Sequence, residues 1–178
     1  MNYLIQSLTY FRICIAPLIF ILVVYFEQFG WSLILFMLAS ASDYWDGFLA
    51  RKYELTSEIG EILDPIADKI LLVFLLISIS IVTASLYVTF ISCLLICREF
   101  WVAALRDFNS RRGNVTATKV TIIAKYKTTT QFVAIFIFLY SFYSQNTLAE
   151  FIAYFILLLS LILSIQSGLI YSVNSLKK

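Results

Sequence analysis

Long apolar runs dominate this sequence and limit the folds that are open to it. Six of them follow one another, at about residues 4–26, 31–50, 61–82, 87–105, 128–143 and 148–171. The runs are continuous instead of alternating with a period of two, and most approach the roughly 20 residues that a helix needs to cross a bilayer. Helices are favoured because every backbone polar group in lipid must be satisfied inside the protein. The sequence therefore predicts an all-α, polytopic membrane protein with six transmembrane helices in a single domain, residues 1–178.

Lysine and arginine are distributed unevenly among the ends of these runs. All 13 fall at one set of ends, and none lies in the turns at about residues 27–30, 82–86 and 144–150. Because basic residues accumulate on the cytoplasmic side, this pattern predicts that both termini are cytoplasmic. In the stretch before the fifth run, we attribute Arg111, Arg112 and Lys119 to this topology signal or to an attraction to anionic lipid.

Four aspartates lie beside or within apolar runs where charge is unfavourable. Asp43 and Asp46 are three residues apart, and Asp64 and Asp68 are four apart, so each pair shares one helix face. Carboxylates of one sign at one membrane depth repel one another unless a cation lies between them. Hard cations such as Mg²⁺ or Mn²⁺ prefer such oxygen ligands, usually together with substrate phosphates. We therefore predict a divalent metal site, against the alternative of a solvated acidic loop.

The first run has a polar face near its beginning. Thr9 and Arg12 are three residues apart, which places both on one side of a helix. Two interpretations stay open for this face: an anchor on the cytoplasmic side, or a contact with the phosphates of a ligand.

The aspartates belong to a longer pattern that carries a resemblance. The segment reads D-x2-D-G-x2-A-R-x8-G-x3-D-x3-D from Asp43 to Asp68, with eight fixed positions. This pattern resembles the signature of the CDP-alcohol phosphatidyltransferase family. Eight fixed residues at fixed spacing are a specific signal, and the resemblance extends over most of the chain.

The resemblance implies a donor, a set of ligands and a base. The donor is CDP-diacylglycerol, and the family's metal ligands correspond here to Asp43, Asp46, Asp64 and Asp68. The last aspartate, Asp68, corresponds to the family's general base. Contacts with CDP-diacylglycerol are implied for Thr9, Gly47, Arg51 and Ser57. The family also implies a homodimer in the cell (inner) membrane, with the active site facing the cytoplasm.

A basic group follows the aspartates and suits an anionic acceptor. Arg98 and Arg106 are eight residues apart on one helix face, and Arg98 stands in an apolar context where an unpartnered cation is unfavourable. Together with Lys125, these segments resemble the phosphatidylglycerophosphate-forming branch, in which such residues bind the acceptor's phosphate. The resemblance then implies that sn-glycerol 3-phosphate is the acceptor. Inositol phosphate, serine and phosphatidylglycerol stay open, because the aspartate motif reads only the shared donor.

Two other classes of protein, a transporter and a lipid-binding scaffold, are alternatives to an enzyme. A divalent-cation transporter also places acids inside a helical bundle, but its acids should follow a path through the midplane of related halves. Here the acids crowd one interface, and the basic group beside them would repel cations. A lipid-binding scaffold would explain the basic face but not the four aspartates.

Overall fold

Six α-helices make up the part of the chain that the structure, a computed structural model, describes. The backbone is described for residues 2–53, 58–113 and 122–176, and the side chains for residues 7–43, 45, 63–113 and 122–175. The helices run in the order α1 Asn2–Val24, α2 Phe29–Tyr53, α3 Glu58–Thr83, α4 Leu86–Arg111, α5 Ile122–Ser144 and α6 Thr147–Leu176. The predicted all-α fold is confirmed.

Most of the described helices are apolar enough to cross a membrane. Five of them carry a stretch of the length and hydropathy needed to cross one, and these stretches lie in α1, α3, α4, α5 and α6. The corresponding stretch in α2, Phe29–Asp43, is shorter within the described residues. The chain is an integral membrane protein. The number of six spans and the cytoplasmic position of the termini stay predictions.

Three tight turns join successive helices into antiparallel pairs. Each turn contains a non-glycine residue with positive φ: Glu27 at 52°, Ala84 at 47° and Gln145 at 52°. In the last turn the side chain of Asn146 accepts hydrogen bonds from the amides of Leu148 and Ala149, which caps α6. Because the chain reverses at each turn, the beginnings of α1, α3 and α5 lie at the same end of the bundle as the ends of α2, α4 and α6.

The helices close into a ring. Following the contacts around the bundle gives the order α1, α2, α5, α6, α4 and α3, with α3 returning to α1 and also reaching α5 across the middle. The shared core is built from aliphatic and aromatic side chains, among them Ile19, Leu75, Leu95 and Phe138. Helices α1 to α3 therefore form one side of the bundle and α4 to α6 the other, and α3 contacts both.

Several buried serines are satisfied within their own helices. Ser78 and Ser160, for example, donate hydrogen bonds to carbonyls three or four residues earlier, at 2.7 Å each. This back-bonding lets a hydroxyl enter an apolar bundle without a partner on another helix.

Two helices extend beyond the apolar runs that predicted them. Helix α4 continues to Arg111, not to about residue 105, and α5 begins at Ile122, not at about residue 128. Apolar runs mark the part of a helix that faces lipid or core, but not its hydrogen-bonded length. In the polar start of α5 the threonine hydroxyls bond carbonyls of the preceding turn, as Thr130 does to the carbonyl of Tyr126 at 2.8 Å.

Candidate active site

Three of the four aspartates converge on one buried arginine. Arg12 of α1 is fully buried, and its Nη1 donates to Oδ1 of Asp43 at 2.6 Å. The same nitrogen also donates to Oδ1 of Asp68, and Nη2 lies 3.5 Å from Oδ1 of Asp64. Thr9, one turn earlier on α1, donates its hydroxyl to Asp64 at 2.5 Å. The polar face of α1 thus binds carboxylates of α2 and α3.

The charges of this cluster do not balance within the described residues. Three carboxylates surround one guanidinium, so when all are ionised the four groups carry a net charge of −2. The side chains of Asp43, Asp64 and Asp68 are 50%, 37% and 41% exposed, so each can still be approached from outside. Oxygen donors with excess negative charge fit a divalent cation such as Mg²⁺.

Part of the predicted donor site lies outside the description. For Asp46, Gly47 and Arg51 on α2 only the backbone is described, and Ser57 lies outside the described backbone as well. Over the described side chains alone, no group of three or more His, Cys, Asp or Glu residues stands close enough to hold a metal ion. The metal and donor roles of these residues stay predictions.

A cavity of about 210 Å³ opens beside the carboxylate cluster, between α3, α4, α5 and α6. Its wall combines charged and polar side chains with apolar ones. The lining residues are Pro65, Asp68, Lys69, Leu72, Arg98, Glu99, Val102, Ala103, Arg106, Ala124, Lys127, Thr128, Gln131, Phe132 and Tyr171. Asp68 belongs both to this wall and to the cluster around Arg12, so the two sites are continuous.

A fixed charge network forms the polar part of the cavity wall. Arg98 donates from Nε to the carbonyl of Ser164 at 2.9 Å and from Nη2 to the hydroxyl of Ser167 at 2.5 Å. Its Nη1 donates to Oε1 of Glu99 at 3.1 Å, and the same oxygen accepts from Nζ of Lys127. Lys127 is buried. One carboxylate therefore holds two cations in place, and α6 orients the guanidinium.

The structure brings two of the three predicted acceptor residues to the cavity. Arg98 and Arg106 both line it, as their spacing predicted, whereas Lys125 is exposed and is not part of the wall. The lysine at the wall is Lys127, which is two residues farther along α5. Residues two apart on a helix point in directions about 200° apart, so only one of the two lysines can face the cavity.

Four residues at the carboxylate cluster or in the cavity wall were not predicted from the sequence. All are buried or nearly buried: Arg12 as a partner of the carboxylates, Glu99, Lys127 and Gln131. A usable signal existed for α5. Lys127 and Gln131 share the helical spacing of the apolar residues Ala134, Ile135 and Phe138, all of which are buried.

Comparisons with a family model and with known proteins all point to the same family. A family model described as CDP-alcohol phosphatidyltransferase matches residues 3–166. A protein of Wigglesworthia glossinidia brevipalpis, named CDP-diacylglycerol--glycerol-3-phosphate 3-phosphatidyltransferase, is 40% identical over 133 residues, 72% of each chain. Relatives of the same name are 36% identical in Salmonella choleraesuis (72% of this chain, 71% of the relative) and 33% identical in Shigella flexneri serotype 5b (92% and 90%).

Proposed function

Since the chain belongs to the CDP-alcohol phosphatidyltransferase family, we propose that it transfers the phosphatidyl group of CDP-diacylglycerol to sn-glycerol 3-phosphate. The products are phosphatidylglycerophosphate and CMP, so the chain acts in phospholipid biosynthesis. The observation that carries this proposal is the cavity in which Asp68 of the carboxylate cluster faces the basic residues Arg98, Arg106 and Lys127. The names of the relatives support the choice of acceptor.

The donor binds at the carboxylate cluster in this proposal. Asp43, Asp46, Asp64 and Asp68 would hold Mg²⁺ or Mn²⁺, and Thr9, Gly47, Arg51 and Ser57 would contact the liponucleotide. A divalent ion bound by these residues would supply positive charge for the pyrophosphate oxygens and for the departing nucleotide. The excess negative charge of the described carboxylates over Arg12 supports this assignment.

The acceptor binds in the cavity. Its phosphate pairs with the cations of α4 and α5, and its primary hydroxyl turns towards Asp68. The hydroxyl oxygen forms a bond to the phosphorus of the phosphatidyl group, the bond from that phosphorus to the CMP oxygen breaks, and Asp68 receives the hydroxyl proton. The described part of the chain contains no histidine to serve as base, and the whole sequence has none.

The cations in the cavity wall also distinguish the proposed function from a cation transporter and from a transferase with another acceptor. Cations at the cavity would repel a transported divalent cation, and serine brings no phosphate for them to bind. Inositol phosphate would satisfy the same cations, and phosphatidylglycerol carries a phosphodiester, so these acceptors are tested directly.

We also propose that the protein lies in the cell (inner) membrane with the site facing the cytoplasm, because the cavity is at the end of the bundle that carries the basic residues. Following the family, we propose a homodimer, which light scattering of the purified protein in detergent would test.

An acceptor panel tests the proposed reaction. Purified protein with CDP-diacylglycerol and Mg²⁺ should release CMP with glycerol 3-phosphate and much more slowly with inositol phosphate, serine or phosphatidylglycerol. Asp68→Asn should abolish CMP release with every acceptor. Asp107→Asn is the matched control, because Asp107 is exposed on α4 and pairs only with Arg111 among the described residues. Faster CMP release with another acceptor would refute the assignment.

A further inference from the structure

A buried amide faces the cavity without a partner. Gln131 lies on α5 and has 0% of its surface exposed. Neither its Nε2 nor its Oε1 has a hydrogen-bond partner among the described residues. Gln131 lines the same cavity as Asp68 and Lys127. A buried amide without a hydrogen bond is unfavourable, so the position is suited to a group that enters the cavity.

The place of Gln131 along α5 limits what that group is. It lies four residues beyond Lys127, which is about 6 Å farther along the helix axis. The next buried residues of α5 are apolar, Ala134 and Ile135, and they do not line the cavity. Among the residues of α5 that line the cavity, Gln131 is therefore the polar one that lies deepest, one turn farther into the bundle than Lys127.

We propose that the side-chain amide of Gln131 binds the non-reacting hydroxyl of a phosphorylated polyol. This inference rests on the proposed function, and it identifies the second hydroxyl of the acceptor as the group that the site recognises. With the phosphate at the cations and the reacting hydroxyl at Asp68, the second hydroxyl of glycerol 3-phosphate is the polar group that remains. A hydroxyl both donates and accepts, and the amide offers one acceptor and two donors.

A structural role for Gln131 is the competing explanation. A glutamine that joined two helices would hydrogen-bond to a neighbouring helix, as Arg98 does to Ser164 and Ser167. Gln131 makes no such bond to the described residues. Ser92 is also buried without a partner, but it does not line the cavity, so burial alone does not mark a binding residue.

The test compares two acceptors that differ by one hydroxyl. Glycerol 3-phosphate and 3-hydroxypropyl phosphate share the phosphate and the reacting primary hydroxyl. Only glycerol 3-phosphate also carries a hydroxyl on the middle carbon. The wild type should prefer glycerol 3-phosphate in kcat/KM by about tenfold to hundredfold, because the analogue leaves the amide unpaired. Gln131→Met should lower kcat/KM for glycerol 3-phosphate much more than for the analogue, so that the preference falls to about twofold or less.

A second measurement separates binding from structure. Because Gln131 has no partner on the described helices, Gln131→Met should keep or raise the Tm of the substrate-free protein in detergent. Gln166→Met is the matched control, because Gln166 lies exposed on α6 away from the cavity, and its acceptor preference should equal that of the wild type.

Three results would count against these ideas in different ways. If Gln131→Met lowers the Tm and slows both acceptors by the same factor, Gln131 is structural and the inference is wrong. If the wild type shows no preference in kcat/KM between the two acceptors, the protein does not recognise the middle hydroxyl and the inference is also wrong. If the wild type does not use glycerol 3-phosphate at all, the proposed function itself fails.

Discussion

Replacing Arg12 with methionine tests how the carboxylate cluster is held together. Arg12 is fully buried, and one of its nitrogens donates to both Asp43 and Asp68. Methionine keeps much of the length and volume of the side chain but removes the charge and every donor. Carboxylates from α2 and α3 would then face one another without the cation that now lies between them.

The size of the effect follows from these contacts. Two charge-assisted hydrogen bonds contribute about 1.5–3 kcal/mol each. The carboxylates are between 37% and 50% exposed, so water recovers part of their solvation, and we expect a net loss of about 2–4 kcal/mol. For a chain of this size each kcal/mol shifts the Tm by about 2–4 °C, so the Tm should fall by about 4–16 °C.

Tryptophan fluorescence during thermal unfolding in detergent measures this change. The control is Arg111→Met, because Arg111 and Asp107 form a 3.0 Å ion pair with 79% and 62% of their side chains exposed. Such a surface pair contributes about 0–1 kcal/mol. Added Mg²⁺ should raise the Tm of Arg12→Met more than that of the wild type, since the ion can then occupy the space that the guanidinium leaves among the carboxylates. Equal losses in the two variants would refute the reasoning.

Three further predictions concern the metal, the acceptor and the topology. EDTA should abolish CMP release and Mg²⁺ or Mn²⁺ restore it, and Asp43→Asn should raise the metal concentration needed; full activity in chelator would exclude the metal site. Arg106→Ala should raise the KM for glycerol 3-phosphate about tenfold while CDP binding, measured by calorimetry, stays near that of the wild type, and a loss confined to CDP binding would move Arg106 to the donor site. Reporters fused after Lys178 or inserted within residues 109–114 should read cytoplasmic and one at residues 145–147 external, whereas an external C-terminus would refute the six-helix topology.

The sequence predicted the helices well because their signal is local. Each apolar run marks a segment that must leave water, and the three turns fall where the runs stop. The apolar runs predict the end of α4 and the beginning of α5 six residues short, because a helix continues as long as its hydrogen bonds and contacts allow. At the start of α5 the chain is polar, yet Lys127 is buried against Glu99, and no local pattern in the sequence announces that pair.

The convergence of the aspartates was predictable, but the partner at their centre was not. The spacing of Asp64 and Asp68 places them on one face whatever the rest of the fold is. Arg12 is 31 residues from Asp43 and 56 from Asp68, so its role depends on how three helices pack. The sequence analysis named Lys125, whereas Lys127 lines the cavity; following the helical spacing of Ala134 and Phe138 back along α5 leads to Lys127.

Helix α3 explains how one site can hold two anionic substrates. On one side of α3, Arg12 of α1 and Asp43 of α2 lie against its aspartates, and on the other side α4 and α5 present Arg98 and Lys127. Asp68 alone among the described aspartates belongs to both sides. In the proposed reaction the donor's pyrophosphate and the acceptor's phosphate would repel each other in a single pocket. Binding them on opposite sides of Asp68 keeps the two charges apart and brings the reacting hydroxyl to the carboxylate that takes its proton.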